Sequence, residues 1–103
     1  MPSVTTPAEL REATAGPATV VDFYAPWCGK CQQIGPHVEK LMDAHPNVRF
    51  VKVDVDDPAM APLAKEMGVS ALPAFHFFKS GESAAAPITG YKKQALENAV
   101  KGL

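Results

Sequence analysis

The stretch VVDFYAPWCGKC, residues 20–31, decides the fold of this 103-residue chain. Together with Thr19, its first half is an apolar, β-branched and aromatic run, which is typical of a strand buried on both faces. Its second half contains both cysteines of the chain, Cys28 and Cys31, separated by a glycine and a lysine. We therefore expect a central parallel strand that leads directly into a pair of thiols.

An amphipathic helix is predicted to begin near Cys28. Side chains recur at helical spacing behind the cysteines, at Ile34, Val38, Leu41, Met42 and His45. Pro36 lies inside this pattern and lacks an amide hydrogen, so it predicts a kink, and Pro46 ends the helix. Residues 48–55 then form a second strand, and the order strand, helix, strand predicts a parallel pair.

Cap and turn signals place two more helices. Thr6 is an N-cap with a glutamate three residues later, so a first helix is predicted over residues 7–15. A third helix should begin between residues 59 and 62 and stop at Gly68, because prolines suit a first helical turn and glycine ends a helix.

The C-terminal third predicts a hairpin and a closing helix. Residues 75–78 and 83–89 are antiparallel strands joined by a tight turn at 79–82, and Pro87 marks the second as an edge strand. The closing helix spans 92–101, with inward-facing positions at Ala95, Leu96, Ala99 and Val100. The predicted fold class is α/β, a mixed central sheet sandwiched by helices on both faces.

Composition predicts one globular domain over residues 1–103, since hydrophobic residues make up 47% and charged residues 20% of the chain. The formal net charge is -1 and no basic run is present, which argues against a nucleic-acid partner. No apolar stretch approaches the roughly 20 residues of a membrane span, and no signal segment follows Met1. We therefore expect a cytoplasmic monomer that binds neither nucleic acid nor membrane.

The two cysteines lie too close in sequence for a structural disulfide to be useful. Closing so short a loop removes little entropy from the unfolded chain, so redox chemistry or metal binding remain. A zinc site needs further ligands, but there is no second cysteine pair and His37, His45 and His76 have no zinc spacing. The residues therefore favour redox chemistry, and we assign no metal ligand.

The predicted helix start gives the two thiols different roles. Unpaired amides and the positive end of the helix dipole point towards Cys28, and both favour its thiolate. Cys31 lies one turn further on, where we expect its sulfur to be deeper and less accessible. Cys28 is therefore the expected nucleophile, and Cys31 the thiol that resolves the mixed disulfide and leaves the Cys28–Cys31 pair oxidised.

Residues 20–31, with Pro36 downstream, strongly resemble the active-site segment of thioredoxins. The match continues in segments 51–56, 68–75 and 77–82 and in Gly90, so it covers essentially the whole chain. The resemblance implies a thioredoxin fold and a protein-disulfide reductase that donates electrons to disulfide-containing client proteins. It also implies regeneration by an NADPH-dependent thioredoxin reductase, with no bound cofactor in this chain.

The resemblance also implies a substrate site around the dithiol, made of Trp27, Gly29, Lys30, Leu72, Pro73 and Gly90. Pro73 is expected to be a cis-proline facing the dithiol, and the Leu72 backbone to pair with an extended client segment. Trp27 is favoured as an exposed binding surface over a core aromatic, and Gly90 as a point of close backbone approach. The chain departs from the family at Lys30, where proline is usual, and at Ala74, where threonine is common.

Asp22 is the acid-base candidate, because an aspartate within an apolar strand loses hydration and its pKa rises. As in the family, it would accept the Cys31 proton through water, with Lys52 on the adjacent strand modulating its charge. The alternative is a purely structural carboxylate that is satisfied by Lys52 or by a backbone donor.

Two other functions remain open on the residues alone. The fold could serve as a non-catalytic binding subunit that uses the hydrophobic rim around Trp27 and Pro73. Lys30 also leaves open an oxidase or isomerase, which would need a less reducing dithiol couple.

Overall fold

One mixed sheet forms the centre of the computed structural model, which describes all 103 residues. Its strands are β1 (Thr19–Tyr24), β2 (Arg49–Asp54), β3 (Ala74–Lys79) and β4 (Glu82–Thr89). They lie in the order β2-β1-β3-β4, with β1 parallel to β2 and antiparallel to β3. The predicted central strand, parallel pair and edge strand are therefore confirmed, with slightly different bounds.

Four helices cover the two faces of this sheet: α1 (Pro7–Thr14), α2 (Gly29–Ala44), α3 (Ala61–Glu66) and α4 (Lys93–Lys101). One buried cluster joins the sheet to α2 and α4, through Ile34, Val38, Leu41, Leu96 and Val100. A second cluster joins the opposite face to α1 and α3, through Leu10, Ala13 and Ala64. None of the helices has the length and apolar character that a bilayer crossing requires.

The alternation of side chains along β1 directs Asp22 towards α2. Val20 belongs to the cluster under α2 and α4, whereas Val21 and Phe23 belong to the cluster under α1 and α3. Because successive strand residues point to opposite faces, Asp22 shares the face of Val20. The sheet therefore presents a carboxyl group to the helix that begins at the cysteines.

Local signals at the chain turns agree with the predicted elements. The Thr6 hydroxyl accepts a hydrogen bond from the Glu9 amide at 3.1 Å, as a capping box requires. Ser80 and Gly81 form the hairpin tip with φ values of 51° and 84°, the pattern of a two-residue type I′ turn. Pro36 lies inside α2 without ending it. The kink expected there stays a prediction.

One inward position of the closing helix was predicted wrongly. Leu96 and Val100 are buried and Ala99 is half-buried, but Ala95 is exposed. On a helix of 100° per residue, Leu96, Ala99, Val100 and Leu103 share one face and Ala95 lies at its margin. Leu103, beyond the end of α4, also packs against this core.

We predict that Leu96→Ala destabilises the protein by about 2–5 kcal/mol, because it removes a fully buried side chain and leaves a cavity. Ala95→Ser, one residue away on the exposed margin, should cost less than about 1 kcal/mol. Urea unfolding followed by circular dichroism measures both. Equal losses in the two variants would contradict the packing described here.

Candidate active site

Cys28 is the N-cap of α2, at the point where the chain leaves β1 and its short connection. Its φ and ψ of -79° and 108° are extended rather than helical. The Cys28 Sγ accepts a hydrogen bond from the Cys31 amide at 3.2 Å. A sulfur in this position receives one of the free amides of the first helical turn and the positive end of the helix dipole, and both stabilise a thiolate.

Cys28 and Cys31 form a disulfide, and their Cα atoms are 5.3 Å apart. The two residues therefore meet as the tetrapeptide spacing predicted, and this is the oxidised state of the dithiol. In this state the sulfur of Cys28 is bonded to the sulfur of Cys31, the residue that is expected to displace a client from Cys28.

The two cysteines differ in exposure as whole residues, and the order of accessibility expected for their sulfur atoms stays a prediction. Cys28 is only 6% exposed, whereas Cys31 is half-buried. The Cys28 amide donates to the Ala25 carbonyl at 3.1 Å, which folds the residue into the turn before the helix. The helix N-terminus at the Cys28 sulfur is therefore the structural feature that distinguishes the two cysteines.

Cys28 opens onto a groove of about 520 Å³. The groove is lined by Trp27, Cys28, Gly29, Lys30, Val55, Val69, Ser70, Ala71 and Leu72. Most of these residues are apolar, which suits contact with a polypeptide side chain. The sequence predicted the cysteine segment and Leu72, but it gave no role to Val55 or to residues 69–71, which the fold brings to the site.

Trp27 forms one wall of this groove as an exposed surface, as predicted. The side chain is 70% exposed, and its Nε1 donates a hydrogen bond to Asp56 Oδ2 at 2.6 Å. The contact fixes the indole over the groove instead of leaving it free to rotate. Asp56 was missed because it is 29 residues from Trp27 and no local pattern links the two.

The Leu72–Pro73 peptide bond is cis, as the resemblance implied. Leu72 is half-buried and lines the groove, whereas Pro73 is buried and does not line it. Pro73 therefore sets the backbone conformation next to the groove, and Leu72 is the residue of this pair that a client can contact. Its pairing with a client segment stays a prediction.

Gly90 meets Pro73 through the backbone, with its amide donating to the Pro73 carbonyl at 2.8 Å. We expected glycine here because another part of the chain would pack too closely for a side chain. That expectation is wrong, because a Cβ built on Gly90 would have no atom of this chain within 4 Å. Glycine is required here by its φ of 90°, a conformation that other residues rarely adopt. The space next to Gly90 is open, and contact between Gly90 and a client stays a prediction.

Cys31 lines a second cavity, of about 220 Å³, together with Asp22 and Lys52. Asp22 is 9% exposed, and its Oδ1 is buried without a hydrogen-bond partner. Burial raises the pKa of Asp22 from 3.8 to about 7, and the positive charge of Lys52 offsets part of this rise. The alternative of a satisfied structural carboxylate is therefore wrong, because neither Lys52 nor a backbone donor bonds to it.

Lys52 lies opposite Asp22 in the parallel register of β1 and β2. Its Nζ is 5.3 Å from the centre of the Tyr24 ring, and it forms no ion pair with Asp22. The N-terminal segment pairs with the backbone of Lys52. The Lys52 amide donates to the Pro2 carbonyl, and the Val4 amide donates to the Lys52 carbonyl, both at 2.9 Å. Lys52 therefore acts on Asp22 through space and not through a shared proton.

The three histidines lie apart from one another and from the dithiol. His37 Nε2 donates to the Lys93 carbonyl at 3.3 Å, and His45 caps the C-terminus of α2. His76 is buried edge-on against Phe23, and burial lowers its pKa. No three His, Cys, Asp or Glu side chains gather at metal-binding distance in the structure.

We predict that Asp22→Asn stabilises the protein at neutral and alkaline pH. The folded carboxyl holds its proton to pH about 7, whereas the unfolded one loses it near 3.8. The uncharged carboxyl therefore contributes stability below pH 3.8 that is lost as the pH rises through 7. Replacing it should raise the free energy of unfolding by on the order of 4 kcal/mol above pH 7.

Urea unfolding at a series of pH values measures this effect. The gain should vanish below the ordinary pKa of aspartate, because both forms are then uncharged. Asp43→Asn, at an exposed position on α2, is the matched control and should change stability little at any pH. A gain that does not depend on pH would show that burial of the charge is not its cause.

Comparison with known proteins agrees with this site and fold. A family model described as thioredoxin matches residues 3–102. Mitochondrial thioredoxin-3 of Saccharomyces cerevisiae is 46% identical over 84 residues, covering 82% of this chain and 64% of that protein. Human thioredoxin is 38% identical over 95 residues, covering 92% of this chain and 88% of the human protein.

Solved structures give the same result. The crystal structure of oxidised mitochondrial thioredoxin 3 from Saccharomyces cerevisiae superposes with a TM-score of 0.91 and 40% identity. That superposition covers 100% of this chain and 95% of the yeast chain. With two cysteines joined at the start of α2 in this fold, the chain belongs to the thioredoxin family of thiol-disulfide oxidoreductases.

Proposed function

We propose that this protein reduces disulfides of client proteins, with Cys28 as the attacking thiolate. The observation that carries the proposal is the position of Cys28 Sγ, which receives the Cys31 amide at the start of α2 and faces the groove. In the reduced protein, the Cys28 thiolate attacks one sulfur of the client disulfide. A mixed disulfide forms, and the other client sulfur leaves as a thiolate that takes a proton from solvent.

Cys31 completes the exchange in the second step. Asp22 accepts the Cys31 proton through water in the cavity that the two residues share, and the Cys31 thiolate attacks Cys28. The bond between Cys28 and the client breaks, and the second client sulfur leaves as a thiolate that takes a proton from solvent, while Asp22 returns its proton to solvent. Two electrons and two protons have then passed to the client, and the protein holds the disulfide seen in the structure.

Trp27 and Leu72 are proposed to hold the client beside Cys28, with Gly29 and Lys30 beneath it and Gly90 at the far side. The first four of these residues line the groove. Trp27 supplies a flat exposed surface, and the half-buried Leu72 supplies a backbone edge for an extended segment. Pro73 supports this edge from below.

The protein is proposed to act without a bound cofactor, receiving electrons from NADPH through a thioredoxin reductase. Thioredoxins as a family work with reductases and disulfide clients. A structural neighbour with a TM-score of 0.91 comes from work on a yeast mitochondrial 1-Cys peroxiredoxin and the glutathione and thioredoxin systems, and we propose peroxiredoxins as one client class.

We propose a cytoplasmic location, since a dithiol reductase needs a compartment that keeps thiols reduced. A mitochondrial location is the alternative, because one relative is named as a mitochondrial thioredoxin. Cell fractionation followed by immunoblotting separates the two.

We predict that Cys31→Ser accumulates mixed disulfides with clients through Cys28, because the thiol that resolves them is absent. Cys28→Ser should accumulate none. Non-reducing electrophoresis and mass spectrometry of the trapped adducts measure the difference. Adducts that form through Cys31 in the Cys28→Ser variant would reverse the proposed roles.

Steady-state turnover tests the activity as a whole. The unaltered protein with NADPH and a thioredoxin reductase should cleave the disulfides of insulin well above the rate of a small thiol. The double variant Cys28→Ser/Cys31→Ser should have no such activity. A double variant that keeps the full biological activity would instead identify the fold as a binding subunit.

A further inference from the structure

Residues 90–93, Gly90-Tyr91-Lys92-Lys93, lead from the end of β4 into the start of α4, and we call them the basic turn. At one end, the Gly90 amide is hydrogen-bonded to the carbonyl of Pro73. Pro73 follows Leu72 in sequence, and Leu72 lines the groove. At the other end, the Lys93 carbonyl accepts from His37 on α2. The basic turn is therefore tied both to the client edge and to the helix that carries the dithiol.

The lysines of the basic turn are free to meet a partner. Lys92 and Lys93 are exposed, and neither forms an ion pair, the only one in the structure being Lys101 with Glu97. The Lys93 Nζ lies 5.2 Å from the centre of the Tyr91 ring, whose side chain is 40% exposed. The ring holds one ammonium group in place without neutralising it.

Local stability does not account for these two lysines. Lys92 is the N-cap of α4 and Lys93 its first residue, where the helix dipole disfavours positive charge. Lys92 makes no side-chain capping bond, and no acidic residue lies in the first turn. The chain thus places two cations where they weaken its own helix, which is expected of residues that serve binding.

Acidic residues surround another part of the groove wall. Val55 lines the groove, and its neighbours in sequence include Asp54, Asp56 and Asp57. Trp27 holds Asp56 in place there. The basic turn therefore differs in charge from the residues around Val55.

We infer that the basic turn selects client segments that carry carboxylate side chains beside their disulfide. This inference rests on the proposed exchange at Cys28 and names the class of client that the same site prefers. A carboxylate on the Gly90 side gains attraction from Lys92 and Lys93, whereas a lysine there is repelled. The selection acts mainly on the rate of encounter and weakens as salt screens the charges.

Three disulfide-containing peptides test this inference, identical except for two flanking residues that are both Glu, both Gln or both Lys. The second-order rate of reduction by the reduced protein is measured at about 0.01 M and about 1 M salt. A flanking lysine itself alters the reactivity of the peptide disulfide, so the Glu-to-Lys rate ratio is compared between protein variants.

Lys92→Glu/Lys93→Glu should lower the Glu-to-Lys rate ratio by about tenfold at low salt, and much less at high salt. Lys40→Glu/Lys79→Glu makes the same change in net charge at exposed positions elsewhere and should leave the ratio within about twofold. Both substitutions in the basic turn place acids at a helix N-terminus, so the melting temperature should not fall. A loss of rate therefore cannot come from unfolding.

Two outcomes overturn the inference: a ratio that Lys92→Glu/Lys93→Glu leaves unchanged, or an equal fall in the Lys40→Glu/Lys79→Glu control. The Gln peptide separates this failure from failure of the proposed function. If the unaltered protein reduces the Gln peptide and the ratios do not respond, only the charge selection is wrong. If the Gln peptide is not reduced at all, the exchange at Cys28 is wrong as well.

Discussion

The interaction on which the site depends is the contact between the Cys31 amide and the sulfur of Cys28 at the start of α2. It exists only because β1 ends where it does and the chain turns at once into a helix. The buried strand fixes the position of this helix start, and α2 is in turn fixed by its apolar stripe against the sheet. A shift of β1 by one residue would move the Cys28 sulfur away from its place at the groove. The same shift would turn the Asp22 side chain to the other face of the sheet.

Asp22 shows how the fold accepts a cost for its chemistry. A carboxyl group without a hydrogen-bond partner in the interior is unfavourable once it is charged, and apolar residues would pack the same position better. The position is useful because it lies beside Cys31 in one cavity, and because burial brings the pKa to about 7, where it can take up and release a proton. Lys52 limits the rise of this pKa from a distance, held by the pairing of its backbone with the N-terminal segment.

Periodicity and turn chemistry predicted most of the fold, because β1, α2 and the hairpin each carry a strong local signal. The dithiol, Asp22 and the cis peptide bond before Pro73 were also found, the last through the resemblance to thioredoxins. What the sequence did not predict depends on contacts between distant residues. Asp56 under Trp27 and the groove wall at residues 69–71 come together only in the folded chain. The relative exposure of Cys28 and Cys31 depends on the turn at Ala25, and spacing along a helix cannot predict it.

Cys28 and Cys31 line different spaces, one shared with Trp27 and Leu72 and the other with Asp22 and Lys52. The walls facing the client can therefore diversify during evolution without disturbing the proton acceptor, because the two sets of lining residues do not overlap. For inhibitor chemistry, the same separation means that an electrophile shaped for the apolar groove reaches only one sulfur. Selectivity among related proteins would then have to come from the groove walls, since such a molecule never contacts the cavity that Asp22 and Lys52 line.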